Sequence, residues 1–169
     1  MSDALKILTY PQDAAILRQK SAPVAIPDMQ SAYKLAKQML KLLDGKTQLG
    51  LSAIQVGKAL RIFVIKIDKF EKIFINPKIE LRTRDRTTVI ESCLSFNTAV
   101  DFYRTTRAQG LKISHRTLNG NIELEQFMGL PALVIQHEMD HLEGKLMHDT
   151  GEKVDVKAEQ VVDLSALKA

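Results

Sequence analysis

The chain has 169 residues, enough to bury one proper core, and reads as a single domain over 1–169 in which the tail 149–169 has no assigned role. Hydrophobic residues at 45% and charged residues at 26% exclude a disordered body, and no window reaches the roughly 18 apolar residues needed to span a bilayer. A net charge of +4 and a pI near 9.2 read as a solvated surface with a slight lysine excess, with no specific nucleic-acid site.

Met1 to Tyr10 lacks a charged segment followed by an apolar run and a small-residue cleavage site, so the expected location is a reducing cytoplasm. Ile7 to Val24 carries two prolines and reads as an extended arm with a short helix at Ala14 to Arg18. Asp28 to Leu43 is the first clear helix. Asp28 suits its N-cap, Ala32, Leu35, Ala36, Met39 and Leu42 give an apolar face, and Gly45 stops it.

Strand signals fill the middle. Leu60 to Ile67 reads as apolar residues alternating with Arg61, Lys66 and their neighbours. Lys72 to Ile75 is a short strand ended by the turn-like Asn76-Pro77. Arg82, Arg84 and Arg86 alternate like the exposed face of a strand. Further strands lie at Thr87 to Glu91, Phe102 to Thr106, Leu111 to His115 and Ile122 to Phe127, with Asn119-Gly120 as a hairpin turn. Pro131 then opens a strong helix to Leu142, with Gly144 after it, and Ala158 to Leu167 is weakly helical. Strands in the middle and helices near the ends imply an α+β fold.

The strong helix contains His137-Glu138-Met139-Asp140-His141. Positions four apart share a helix face, so both imidazoles can meet one metal ion, with Glu138 beside them in reach of an attacking water. A divalent ion lowers the pKa of water, and a carboxylate can carry the proton onward to a leaving group. Leu130, Leu133, Val134, His137 and His141 share a core-facing stripe, where buried imidazoles need partners. A catalytic site usually takes three protein ligands. Glu143 and His148 are poorly placed, and Asp140 points off the line. Cys93, the sole cysteine, precludes an internal disulfide and is by default a small buried hydrophobe. As a ligand it would complete a coherent Cys-His-His set for iron(II), zinc, nickel or cobalt.

Three motifs in order resemble those of peptide deformylases. Gly50-Leu51-Ser52-Ala53-Ile54-Gln55 is similar to G-x-G-L-A-A-x-Q without its first glycine, Glu91-Ser92-Cys93-Leu94-Ser95 to E-G-C-L-S, and Gln136 to Gly144 matches Q-H-E-x-D-H-L-x-G. The opening, Ile7-Leu8-Thr9-Tyr10-Pro11 through Pro23-Val24, resembles the family's start, and the likeness spans roughly residues 5 to 148. The resemblance implies antiparallel or mixed sheets packed around a central H-E-x-x-H helix. It implies removal of the formyl group from the N-terminal formyl-methionine of nascent chains, releasing formate. Cys93, His137 and His141 would hold one divalent ion, natively iron(II), with zinc, nickel or cobalt as substitutes. Glu138 would be general base and then acid, and the Gln55 amide and Leu94 N–H would stabilise the oxyanion. The main chain at Leu49 and Gly50 would pair with the substrate peptide, and Leu130, Leu133 and Val134 would help wall a methionine pocket. The expected partner is the formylated nascent chain, with a transient ribosome contact and no membrane.

The departures sit where substrate is positioned. Gln48 stands for the first glycine, Ser52 for an alanine and Ser92 for a glycine, and Phe96 to Asp101 lacks the family's proline and arginine. Arg104 is expected to pair with Glu91. Competing readings are a divergent enzyme acting on another N-formyl or N-acyl substrate, a metal-bearing peptide binder with little activity, and a zincin-type hydrolase.

Overall fold

Ile62-Phe63-Val64-Ile65 is apolar at four successive positions, and both faces of that run are buried. The computed structural model describes residues 4–155, and its elements give the expected α+β class. The helices are α1 (Ala14–Leu17), α2 (Met29–Leu42), α3 (Leu130–Leu142) and α4 (Met147–Thr150). The strands are β1 (Gly50–Ser52), β2 (Ile62–Ile67), β3 (Phe70–Arg82), β4 (Arg86–Glu91), β5 (Phe102–Ala108), β6 (Gly110–Arg116), β7 (Ile122–Met128) and β8 (Glu152–Val154). They form a five-stranded sheet, β1-β2-β3-β6-β7, and a three-stranded sheet, β4-β5-β8, with all neighbours antiparallel.

The alternation expected for Leu60 to Ile67 gives way to burial on both faces, for a physical reason. Ile62 and Val64 pack with Met39, Leu40 and Ala36 of α2, while Phe63 and Ile65 pack with Ala132, Ile135 and Met139 of α3. A strand covered on both faces reads as a continuous apolar run. Asn76-Pro77 does not end a strand. β3 runs through it with a register shift between Ile75 and Lys78, which accommodates a residue lacking an N–H. Asn76 takes φ +50°, accepts the Val24 N–H at 2.7 Å and donates to the Val24 carbonyl at 2.8 Å, tying the N-terminal arm to the sheet.

The three arginines are exposed but share no strand: Arg82 ends β3, Arg84 lies in the turn and Arg86 opens β4. Asp28 precedes α2 without a side-chain cap, because Ile26–Asp28 forms a short 3-10 turn there. The Asn119-Gly120 hairpin is present, with Gly120 at φ +80° between β6 and β7. The helix read at Ala158 to Leu167 lies outside the described residues.

α3 positions the site. Pro131 opens it, Gly144 at φ +72° follows it, and it is buried along most of its length. Buried Gln136 clamps it to the smaller sheet, accepting the Ala108 N–H at 3.0 Å and donating to the Ala108 carbonyl at 2.9 Å.

Candidate metal centre

The four-residue spacing on α3 sets the His137 and His141 rings 4.9 Å apart at their centroids. The chain turns sharply after β4, with Phe96 N–H donating to the Cys93 carbonyl at 2.9 Å, and delivers the buried Cys93 sulfur to the same place. Cys93 Sγ lies 3.3 Å from His141 Nε2, and one donor atom from each of Cys93, His137 and His141 lies within 4.8 Å of the others. Burial and the charge of His137 lower the His141 pKa well below its ordinary value, leaving the neutral imidazole that metals take. One thiol and two imidazoles facing one point fit a divalent transition ion. The other candidates are engaged elsewhere: Glu143 pairs with Lys20 and Arg61, and His148 packs edge-on to Phe96 and tilted against Tyr10.

Glu91 ends β4 and lies 3.0 Å from His137 Nδ1, which turns the other ring nitrogen toward the thiol. Burial lowers the His137 pKa, but the hydrogen bonds and charges of Cys93 and Glu91 raise it well above its ordinary value. The partner of Glu91 is Arg107, not Arg104. Arg107 Nε and Nη2 donate to the two Glu91 oxygens, Nη2 at 2.8 Å, and Nη1 donates to Asp140 at 2.9 Å. Arg104 lies on the exposed side of β5, 3.9 Å from Glu152. Alternation along β5 explains the difference: Arg104 and Arg107 are three apart, so they face opposite ways. Burial works to raise the Glu91 pKa, yet Arg107 and His137 hold that carboxyl well below its usual range.

Glu138 is 2% exposed, and burial pushes its pKa up to about 7, against the charge of His137 and the hydrogen bond of Ser52. Ser52 Oγ donates to Glu138 Oε2 at 2.5 Å and lies 3.1 Å from the Glu138 carbonyl. Gly50 backs the other oxygen, because any Cβ there would collide with Glu138 Oε1. Buried Gln55 accepts the Ser52 N–H at 2.8 Å and donates through Nε2 to Cys93 Sγ at 3.2 Å and Ser95 Oγ at 3.1 Å. Leu94 follows the thiol, and its N–H meets no acceptor among the described residues. Ser52 stood out in the sequence only as a departure within the first motif, and Arg107 not at all, since the partners of both lie on elements remote in the chain.

A cavity of about 530 Å³ opens beside this cluster, lined by Gln48, Leu49, Gly50, Ser92, Cys93, Leu94, His137 and Glu138. Leu130, Leu133 and Val134 form part of its wall, as expected, and Val89, Ile90 and Phe102 extend it. Gln55 is not in that lining; it stands behind the thiol. Leu49 accepts the Lys66 N–H at 2.8 Å, so alternation turns the N–H and carbonyl of Gly50 toward the open edge of β1. A second group, His115, Glu123 and Glu125, already holds a cation: Lys72 Nζ lies 2.6 Å from Glu125 and 4.0 Å from Glu123.

The family model described as polypeptide deformylase matches residues 4–157. A peptide deformylase of Nitrosococcus oceani is 36% identical over 170 residues, covering 96% of this chain and 98% of the relative. A crystal structure of peptide deformylase from Thermotoga maritima superimposes with TM-score 0.78 at 29% identity, covering 86% of this chain and 96% of that one. The Met-Ala-Ser-bound crystal structure of class I type b peptide deformylase from Acinetobacter baumannii superimposes with TM-score 0.80 at 26% identity, covering 89% and 99%.

Proposed function

The chain belongs to the polypeptide deformylase family, metal-dependent hydrolases that remove the N-formyl group from nascent polypeptides, and on that premise we propose that Cys93, His137 and His141 hold the metal ion and Glu138 moves the proton. The observation that carries this is the convergence of one thiol and two imidazoles within 4.8 Å, with Glu138 lining the same cavity. When bound, the ion supplies a Lewis acid that polarises the formyl oxygen and lowers the pKa of water. The ion is iron(II) in this reading, a metal that thiolate and imidazole both suit, and zinc, nickel and cobalt fit the same donors.

Glu138 takes a proton from the attacking water and returns it to the departing amine nitrogen, so formate and a free N-terminus leave. A carboxyl held near pH 7 by burial suits both halves of that transfer. Charge gathers on the formyl oxygen as the water adds. The unengaged Leu94 N–H and the Gln55 amide beside Cys93 are the donors that meet it, Gln55 exchanging its bond to Ser95 Oγ. Each such donor typically contributes about 3–4 kcal/mol of transition-state stabilisation.

The peptide lies along the open edge of β1, where the Gly50 main chain pairs with it as an added strand. Leu130, Leu133 and Val134 take the methionine side chain, whose flexible thioether suits an aliphatic wall. The Met-Ala-Ser bound to the Acinetobacter relative accords with a methionine in first position. The setting is cytoplasmic, and the nascent chain is met at the ribosome.

The test is formate release from formyl-Met-Ala-Ser by protein purified anaerobically and loaded with iron(II), beside Glu138→Ala. Release by the parent protein and a loss of at least about a hundredfold in the variant is expected. Release that survives the substitution would remove Glu138 from the chemistry.

A further inference from the structure

Ser52 is the last residue of β1 and its side chain is fully buried. Its backbone is held twice: it sits opposite Phe63 in the β1–β2 register, and its N–H donates to Gln55 Oε1 at 2.8 Å. Its hydroxyl therefore has little freedom and no water to compete for it. Two acceptors lie near, the Glu138 carbonyl at 3.1 Å and the Glu138 carboxylate at 2.5 Å. One proton serves one strong bond, and the carboxyl oxygen, at the shorter distance, takes it.

Gly50 lies two residues earlier on the same strand face, and its lack of a Cβ leaves room for Glu138 Oε1. Gly50 and Ser52 thus cradle the carboxylate, one by having no side chain and one by a hydrogen bond. The bonds then run on in one chain: Glu138 Oε2 to Ser52, the Ser52 N–H to Gln55, and Gln55 Nε2 to Cys93 Sγ at 3.2 Å.

We propose that Ser52 is a positioning residue for the deformylation: its hydroxyl commits one oxygen of the Glu138 carboxylate to the protein and orients the other toward the attacking water and the leaving amine. This rests on the reading of Glu138 as the acid/base. The Ser52 proton stays on Ser52 throughout. The proton Glu138 takes from water is the one it delivers to the amine, so the hydroxyl is neither consumed nor charged. Without it the carboxylate loses the one hydrogen bond that fixes its Oε2, and misplacement of a reacting group by about 1 Å can cost on the order of a hundredfold in rate.

The experiment compares the parent protein with Ser52→Ala, Ser52→Thr and Glu138→Gln, all metal-loaded, reading kcat, KM, bound metal per chain and the unfolding midpoint. In Ser52→Ala, kcat is expected to fall about tenfold or more while KM, metal content and midpoint stay. Ser52→Thr, which keeps the hydroxyl, is expected to recover most of the loss in its folded, metal-loaded fraction. Full kcat in Ser52→Ala overturns the proposal. So does a fall in kcat matched by lost metal or lost stability, which would make Ser52 a structural residue, and so does a folded threonine variant as slow as alanine. Glu138→Gln separates the two readings: activity surviving there sinks the acid/base assignment, whereas its loss beside an unaffected Ser52→Ala sinks only the role of Ser52.

Discussion

The Glu91 carboxylate is gripped by Arg107 at both oxygens and faces His137 Nδ1 at 3.0 Å. A ring nitrogen that donates to a fixed carboxylate fixes the tautomer and tilt of the other nitrogen. Glu91→Gln keeps the shape but loses the charge, and it is expected to weaken metal retention about 10–100-fold, read by chelator competition. Unchanged retention would mean that α3 alone orients His137. The same residue shows why Arg107, and not the expected Arg104, is its partner. Two arginines on one strand compete for one glutamate, and only the pleat decides which of them faces inward.

At the scale of elements, α3 is the hinge between sheets. Its apolar stripe meets Phe63, Ile65 and Phe74 of the larger sheet, and Gln136 fastens it to Ala108 of the smaller one. A side-chain amide that satisfies both main-chain groups of a buried residue replaces a missing strand partner. Gln136→Ala would leave an N–H and a carbonyl buried and unpaired, and a loss of about 1–3 kcal/mol is expected in urea unfolding. An unchanged midpoint would show that water enters and replaces the clamp. The existence of α3 was legible from Pro131, Gly144 and its apolar run. The true character of β2 was not, because burial on both faces depends on α2 and α3, which come from opposite ends of the chain.

At the scale of the molecule, carboxylates tie remote segments together and make stability depend on pH. Burial raises the Asp149 pKa, but the Arg18 guanidinium and the Leu146 N–H outweigh it and hold the carboxyl below 3.8. Burial likewise raises Glu125, and His115 and Lys72 hold it below 4.5. A carboxyl depressed in the folded state adds stability above its unfolded value, and that stability is lost as pH falls through the folded value. The unfolding midpoint of metal-free protein is therefore expected to drop as pH falls below about 4, and Asp149→Asn to flatten that dependence. An identical pH slope in the variant would show that the Arg18–Asp149 pair does not join α4 to the N-terminal arm in solution.

What the sequence determined by itself is local. Helical spacing put two imidazoles and a carboxylate on one turn of α3, the strand signals and turns marked most element positions, and three motifs in order pointed to one chemistry. These features depend on residues within a few positions of one another, where backbone geometry alone relates them. Only the tertiary structure decided the rest: that Arg107 and not Arg104 grips Glu91, that β3 continues through Asn76-Pro77, and that Ser52 holds Glu138 from 86 residues away. Such contacts are set by how two sheets close on one helix, and no local pattern in the chain encodes that geometry.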